Sequence, residues 1–537
     1  MKGNKSFYTC IFLLATLFAG YVFLESKHIV DYSEIQNKGI PDSDFGNFLA
    51  AQHALYINDF DTASIMMSKV KSDYDLITKV KTITEFFNGK MPENAKDLKS
   101  SKELLERLVY DAHLIQNDNW KNVYERHKKD DSVLAAPLRI FSGVKQGKTK
   151  ETNKFIDSLK TNEYWKSFVR GQIAVLNNDI DGAAKEFAKV HPEFMNINDY
   201  LYLMSFYKQN NMLEDMEILR NDFIAKPSGM YVLDYPAIPD WSEYDGFANN
   251  LVFSIIQNVS HSQIMLYTDL SLMFLRFAQV ISNDTNLDAV NYYFGQYYFY
   301  NSGDYKNSFD KISKSNPLYL FGQLKIAEKN KDIKTIEKIA KENPLFVPAT
   351  NIAMRENIKN GNKNAALRFI NRGLKQKNLD DNGIAYFLQQ RIYVNLMFNN
   401  IKSAQKDMDK IKELATSITP DIVLLQARIW EKQNRNLDKA YDYVMNLIKI
   451  NPSDVNAWDT LALIVNKKEG IHNALEIMEK ISSVGVTTSS VFEHLGDLYM
   501  IYGDKEKALK AYSHALDLSE DSLIVIPYVQ KKIRKIK

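Results

Sequence analysis

Apolar side chains follow a helical pattern in residues 489–522. Across residues 491–501 they recur three and four positions apart, a spacing that lines one face of an α-helix. Gly503 and Asp504 come next; glycine tolerates the positive φ of a helix end, and aspartate can cap a following helix. A second apolar face begins at Ala508. The pattern predicts a helical hairpin, with helix A before the turn and helix B after it.

This hairpin recurs with a fixed period. Ala508 has counterparts at Ala474 and Ala440, each 34 positions earlier than the last. Large, small and turn residues keep fixed offsets around these alanines, and the following positions define the repeat: Ala440, Trp458, Leu461, Ala474, Phe492, Leu495, Gly496, Tyr499, Gly503, Ala508, Tyr512 and Ala515. A period of this length predicts hairpins stacked on one another, each burying the apolar face of its neighbour.

The amino terminus carries a different pattern. Lys2 and Lys5 precede an apolar run from Ser6 to Leu24 that is about long enough to span a bilayer. It predicts a signal peptide or a membrane anchor, with the repeats on the far side of the membrane. Because no small-x-small cleavage site is present, a retained anchor is favoured slightly. Cys10 lies inside the run without a lipoprotein box, which argues against lipidation there.

Composition narrows the classes of function. The chain has 537 residues, 45% hydrophobic and 25% charged, with a net charge of +2, which describes a folded protein without the basic surface typical of nucleic-acid binding. Its single cysteine excludes disulfides in the body and cysteine metal sites. The 30 Tyr and 29 Phe are predicted mainly to fill the core between helices, with a ligand-stacking platform as the alternative.

The hairpin of residues 489–522 resembles the tetratricopeptide repeat (TPR). The whole layout is similar to that of exported alphaproteobacterial TPR-containing proteins, whose repeats begin with a segment like residues 48–54 and end with one like residues 494–499. The resemblance implies an all-α, right-handed α-solenoid of TPR-type hairpins. It also implies a scaffold for protein or peptide partners outside the cytoplasm: periplasmic, and held at the inner membrane if the amino-terminal segment is uncleaved.

We therefore predict seven segments in chain order. They are a signal peptide or N-terminal membrane anchor (1–25), a linker (26–43), degenerate TPR-like repeats (44–225), an irregular loop rich in proline and aromatic residues (226–246), TPR-like repeats (247–420), three well-matched units (421–522) and a basic capping helix (523–537). The loop is expected to pack under a helix, with a partner contact as the alternative. The basic tail is expected to cap the solenoid, with anionic lipid as the alternative.

TPR proteins usually hold ligands along the inner surface of successive A helices, and the resemblance implies which positions line that groove. They are Ile422, Leu425, Ile429, Lys432, Asn456, Asp459, Leu463, Asn466, Ser490, Glu493, Asp497 and Met500. Apolar and acidic residues stand where carboxylate-clamping repeats carry Lys and Asn. An apolar partner segment with some basic character is therefore expected. An ordinary solvated face is the alternative for Glu493 and Asp497.

Motifs for catalysis are not found in the sequence. The nine His show no metal-ligand spacing, and there is no nucleophile elbow, phosphate loop or dinucleotide motif. We expect no cofactor, no metal and no catalytic residue, and interpret the chain as a non-catalytic scaffold in cell-envelope assembly or polymer secretion. The alternative is a cell-wall-active enzyme of the lytic transglycosylase type. Its catalytic Glu-Ser pair has one counterpart here, Glu25 and Ser26, which lies beside the apolar run.

Overall fold

The computed structural model describes residues 44–537, apart from 57–58, 72–74, 102–103, 131–134, 192–193, 226–237, 262–268, 283–286, 302–303, 378, 380, 415–418, 484–487 and 521–522. The chain divides into two compact units, Met1–Asn119 and Trp120–Lys537. Within the described ranges, all regular secondary structure is helical.

The first unit contains short helices around a small apolar core. Phe48, Ala51, Met67 and Val80 pack together there. Its elements are α1 (Asp44–Tyr56), α2 (Phe60–Ser68), α3 (Asp75–Phe87), a 3₁₀ helix (Ala95–Ser100) and α4 (Leu104–Gln116).

The second unit is a long series of helices in which neighbours along the chain pair. Its first half comprises α5 (Trp120–His127), α6 (Ala136–Lys145), α7 (Thr149–Ser158), α8 (Glu163–Leu176), α9 (Ile180–Phe187), α10 (Ile197–Gln209), α11 (Leu213–Ala225), a 3₁₀ helix (Trp241–Glu243), α12 (Gly246–His261), α13 (Asp269–Ile281), α14 (Leu287–Tyr300) and α15 (Tyr305–Asp310). Its second half comprises α16 (Pro317–Lys329), α17 (Ile333–Glu342), α18 (Val347–Lys359), α19 (Lys363–Gly373), α20 (Asp381–Met397), α21 (Ile401–Leu414), α22 (Pro420–Gln433), α23 (Leu437–Ile450), α24 (Val455–Lys468), α25 (Ile471–Ser482), α26 (Ser489–Tyr502), α27 (Lys505–Asp517), a 3₁₀ helix (Leu518–Glu520) and α28 (Ile526–Ile536).

A repeated turn joins helix A to helix B. One residue takes positive φ, as Gly503 does at 97° and Asn178 at 58°. The next residue caps helix B: the Asp504 carboxylate accepts a hydrogen bond from the Lys507 backbone N–H at 2.9 Å, and Asp179 accepts one from Gly182 at 2.9 Å. The cap satisfies an N–H that has no partner inside the helix. The sequence prediction of this turn at 503–504 is confirmed.

Small residues allow the paired helices to approach closely. A Cβ atom placed on Gly496 would lie 2.5 Å from the Tyr512 ring, nearer than atoms can pack. Ala440, Ala474 and Ala508 are fully buried in one apolar cluster that runs through α22–α28. In the same series each A helix also contacts the next one, α20 with α22, α22 with α24 and α24 with α26. The predicted all-α solenoid of paired helices is confirmed.

The predicted irregular loop is described only at its carboxyl end, residues 238–246. The Trp241 ring lies 5.3 Å from the Tyr202 ring, and Tyr244 is buried. The Pro239 carbonyl accepts a hydrogen bond from the Ser205 hydroxyl at 2.9 Å. These residues pack against α10, as a structural loop does. Residues 226–237 lie outside the described part of the chain.

The amino-terminal segment of residues 1–43 also lies outside the described part of the chain, so the signal or anchor and the linker stay predictions. Among the helices that the structure does describe, none combines the length and the apolar character required to cross a bilayer.

Candidate partner-binding surface

The A helices of the last hairpins, α22, α24 and α26, carry the groove residues predicted from sequence. The structure assigns these residues to three environments. Some are core, some pair with other charged groups of the chain, and some remain accessible. Lys432, Asn456 and Met500 are exposed, and Leu463, Asn466 and Ser490 are partly buried.

The three apolar groove residues on α22 are core residues. Ile422, Leu425 and Ile429 are between 0% and 9% exposed. They pack on the preceding hairpin, in one cluster with residues of α20 and α21 such as Leu388 and Met408. The expectation that Leu425 and Ile429 meet a partner segment directly is therefore wrong, because these side chains hold neighbouring hairpins together.

Asp459 is the centre of a buried charge cluster. Its carboxylate is fully buried, and His494 Nδ1 lies 2.8 Å from Oδ1. The Arg428 guanidinium donates to Oδ2 at 3.4 Å. Burial alone would raise the pKa of Asp459, but His494 and Arg428 together lower it below its ordinary value. Asp459 thus stays ionised and joins α22, α24 and α26. It is not available to a ligand, although the groove prediction included it.

Glu493 and Asp497 are occupied by a residue of the chain's own terminus. The Lys532 ammonium on α28 donates to Glu493 Oε1 and to Asp497 Oδ2, both at 2.8 Å. The Tyr512 hydroxyl donates to Asp497 Oδ1 at 2.6 Å. Burial opposes the charge on Lys532, yet the two carboxylates outweigh it and raise the pKa of this ammonium. These two acids therefore bind a cation of the chain itself. The solvated-face alternative is wrong for Glu493, whose side chain is 15% exposed, whereas the Asp497 side chain remains 39% exposed.

Residues 523–537, named here the C-terminal strap, reach far beyond the last hairpin. Leu523 and Val525 are buried in a cluster formed by α18, α19 and α20, with Ile358, Ile370 and Phe387 among its members. The alternate residue, Ile524, is fully buried in the other cluster, that of α22–α28. The extended segment before α28 therefore joins two apolar cores.

Three successive A-to-B turns contact this terminal segment in chain order. At the turn after α16, Lys331 pairs with Glu520, just before the strap, at 3.3 Å. At the turn after α18, a Cβ on Gly361 would lie 3.3 Å from Pro527. At the turn after α20, the ring centroids of Phe398 and Tyr528 are 5.8 Å apart. In addition, the Lys359 ammonium at the end of α18 donates to the Glu520 carbonyl at 2.9 Å.

Sequence reasoning missed this reach. It assigned residues 523–537 to a capping helix, and α28 does pack on α27. The available signal was the uninterrupted apolar run of residues 523–526, which begins directly after the acidic positions 520 and 521 and one serine. A terminal helix that only caps the last hairpin does not require four consecutive apolar residues. Here Leu523 and Val525 pack in one cluster and Ile524 in the other.

The described residues contain no group of three or more His, Cys, Asp or Glu arranged to hold a metal ion. Arg428, Asp459 and His494 on the A helices bind one another. The arrangement holds helices together and can hold a segment of chain.

The buried alanines at the fixed period, the Gly496–Tyr512 contact and the stacking of successive A helices together decide the type of repeat. The last three hairpins have the tetratricopeptide fold. No family model matches the chain, and no curated protein matches its sequence.

Solved structures similar to this chain include two TPR proteins and one chain of a hetero-tetramer. A thermophilic TPR protein of Thermus thermophilus is 16% identical over 36% of this chain and 97% of its own, with a TM-score of 0.28. A tetratricopeptide repeat protein of Parabacteroides merdae is 16% identical over 54% of this chain and 99% of its own, with a TM-score of 0.30. A chain of the APC/C hetero-tetramer Cut9–Hcn1 is 10% identical over 92% of this chain and 96% of its own, with a TM-score of 0.30. These are likenesses of fold, and the argument for the TPR repeat rests on the packing described above.

Proposed function

We propose that this chain is a non-catalytic TPR scaffold that binds segments of partner proteins on the A-helix side of its last hairpins. One observation carries the proposal. Glu493 and Asp497 on the A helix α26 already bind Lys532 of the C-terminal strap, whose extended apolar stretch packs on α18–α20. A surface that accommodates such a segment has the dimensions and chemistry for recognising one.

The proposal includes the site of action. The apolar run from Ser6 to Leu24 after Lys2 and Lys5 supports export, with the repeats outside the cytoplasm and the amino-terminal segment either cleaved or kept as an anchor. A role in cell-envelope assembly or polymer secretion follows from that location.

Photo-crosslinking from defined positions tests the scaffold. A photoreactive amino acid is introduced in the full chain at Asn456 or Met500, both exposed on A helices, and the envelope fraction is irradiated. The matched controls carry it at Lys439 or Glu476, both exposed on B helices. We expect a discrete crosslinked partner from the A-helix positions alone. The same products from both faces, or none from either, would contradict the proposal.

A further inference from the structure

The C-terminal strap has the features of a bound peptide. It is extended over Leu523–Val525, helical over Ile526–Ile536, and it contacts elements that lie more than 100 residues away along the chain, as between Phe398 and Tyr528. Its contacts alternate between apolar burial and charge pairing, which is how peptide-binding grooves combine affinity with specificity.

We propose that the strap is an intramolecular stand-in for a partner segment of the same chemistry and that partner binding displaces it. This inference rests on the scaffold function proposed above. The partner segment has an acidic residue, then an extended apolar triplet, then an amphipathic basic helix.

The charges along the groove fix this order. At the amino end of the segment, the Lys331 ammonium pairs with the Glu520 carboxylate, and the Lys359 ammonium donates to the Glu520 backbone carbonyl. Glu493 and Asp497 bind Lys532 at its carboxyl end. A segment with reversed polarity would set like charges against each other at both ends, so the groove selects one direction of chain.

The middle of the segment must be apolar on both faces. Leu523 and Val525 enter one cluster while Ile524 enters the other, so the segment must be extended with apolar side chains on both faces. Docking also requires the segment to become ordered, and that entropy cost offsets much of the gain from burial. An intramolecular segment is held by its high effective concentration, and a free partner competes once the strap contacts are weakened.

A labelled peptide with the sequence of residues 518–537 tests displacement. Its binding to the full chain is measured by fluorescence anisotropy, with the unchanged chain compared with Lys532→Glu. In the variant the strap meets Glu493 and Asp497 with the wrong charge, whereas the peptide still offers its own lysine. We expect the variant to bind the peptide at least about tenfold more tightly than the unchanged chain, or about 1.4 kcal/mol.

Lys531→Glu is the matched control, because it makes the same charge change at the preceding, exposed position of α28. It should bind the peptide as weakly as the unchanged chain does. A peptide in which Leu523, Ile524 and Val525 are replaced by serine should bind none of the proteins. Equal peptide binding by the Lys532 and Lys531 variants would overturn the proposal.

A second design applies if Lys532→Glu fails to fold. A site for a specific protease is inserted between Glu520 and Leu523, and the folded full chain is then cleaved. The labelled peptide should exchange with the severed strap while the helical circular dichroism persists. A severed strap that never exchanges, or an array that unfolds on cleavage, would show that these residues are permanent core.

Two further outcomes separate this inference from the scaffold function. A discrete partner crosslinked at Met500 without any peptide binding leaves the scaffold standing and removes the displaceable strap. The second outcome comes from light scattering of the Lys532→Glu variant. A dimer that dissociates when the peptide is added supports the groove. A dimer that the peptide leaves intact assigns the strap to self-assembly and overturns the proposal.

Discussion

Two regions of the second unit share one type of turn and differ in their cores. The array of α22–α27 packs alanines at a fixed period against aliphatic side chains. The block of α8–α12 packs aromatic rings: Phe168 lies 5.5 Å from Phe187, 5.2 Å from Tyr202 and 5.4 Å from Phe253 between ring centroids. Each region contains one turn in which a residue of positive φ precedes an aspartate cap, at Asn178 and Asp179 in the aromatic block and at Gly503 and Asp504 in the array. The same turn therefore supports hairpins with either kind of core.

The aromatic block also buries a polar network between its helices. Asp199 is fully buried, and its carboxylate accepts hydrogen bonds from the Tyr164 hydroxyl at 2.6 Å and from Gln257 at 3.1 Å. Tyr202 donates to Asn250 at 2.7 Å. Burial, with Asp199 beside it, raises the pKa of Tyr164. A buried polar network of this kind specifies one packing arrangement where the repeat signature has faded.

The largest expected effect is the loss of a ring from the aromatic block. Phe168→Ala should lower stability by about 3–5 kcal/mol, because a fully buried ring leaves a cavity that its neighbours cannot fill. Native-state hydrogen exchange of α8 and α10 measures it. Phe194→Ala, at a ring that is 59% exposed, is the control and should change little. Equal losses from the two would remove the distinction between core and surface rings.

The alanine array should respond to enlargement. Ala474→Leu should cost about 1–3 kcal/mol, because the added atoms have no space in the fully buried contact between α25 and its neighbours. Thermal unfolding of the full chain reports the loss. Glu476→Leu adds a comparable side chain at an exposed position of the same helix and should be nearly neutral. A tolerated leucine at position 474 would mean that the period does not mark close helix approach.

The shared turn predicts equal effects in both regions. Asp179→Ala and Asp504→Ala should each cost about 1 kcal/mol, because each removes the side-chain acceptor of one helix N–H. The corresponding Asn variants keep an acceptor and should recover most of the loss, as followed by hydrogen exchange of α9 and α27. A loss confined to one of the two turns would show that the turn is not a common device.

The smallest effect concerns pH and the aromatic block alone. Burial, together with Asp288 and Asp240, raises the pKa of Glu243 from 4.5 to about 7. Since the raised pKa belongs to the folded state, the folded protein binds more protons, and this stabilisation is complete below 4.5 and lost as pH rises through about 7. Glu243→Gln should therefore melt higher relative to the unchanged chain at about pH 8 than at about pH 5. A difference that does not vary with pH would remove this group from the account.

Much of the C-terminal fold is predictable from sequence, because a period identifies helices, turns and small contact residues together. The period does not identify which neighbour covers a given face. For that reason Leu425 and Ile429 were expected in a groove, while the structure packs them against α20 and α21.

Contacts between residues distant in sequence could not be predicted either. Lys532 pairs with Glu493, 39 positions earlier, and Leu523 packs with residues of α18–α20, still earlier in the chain. No local pattern relates positions so far apart. In the aromatic block, the number of rings indicated a core, but the hydrogen bonds of Asp199 link residues 35 and 58 positions apart without a repeat to relate them.

The strap's independence from the array is the central claim, and hydrogen exchange of the unchanged full chain tests it most directly. Amides of residues 528–536 should lose protection in a separate opening step, before those of α24 and α26, while the two A helices remain protected. If the strap and both A helices instead exchange in one cooperative step under all conditions, the strap is permanent core, and the groove it fills is closed to any partner.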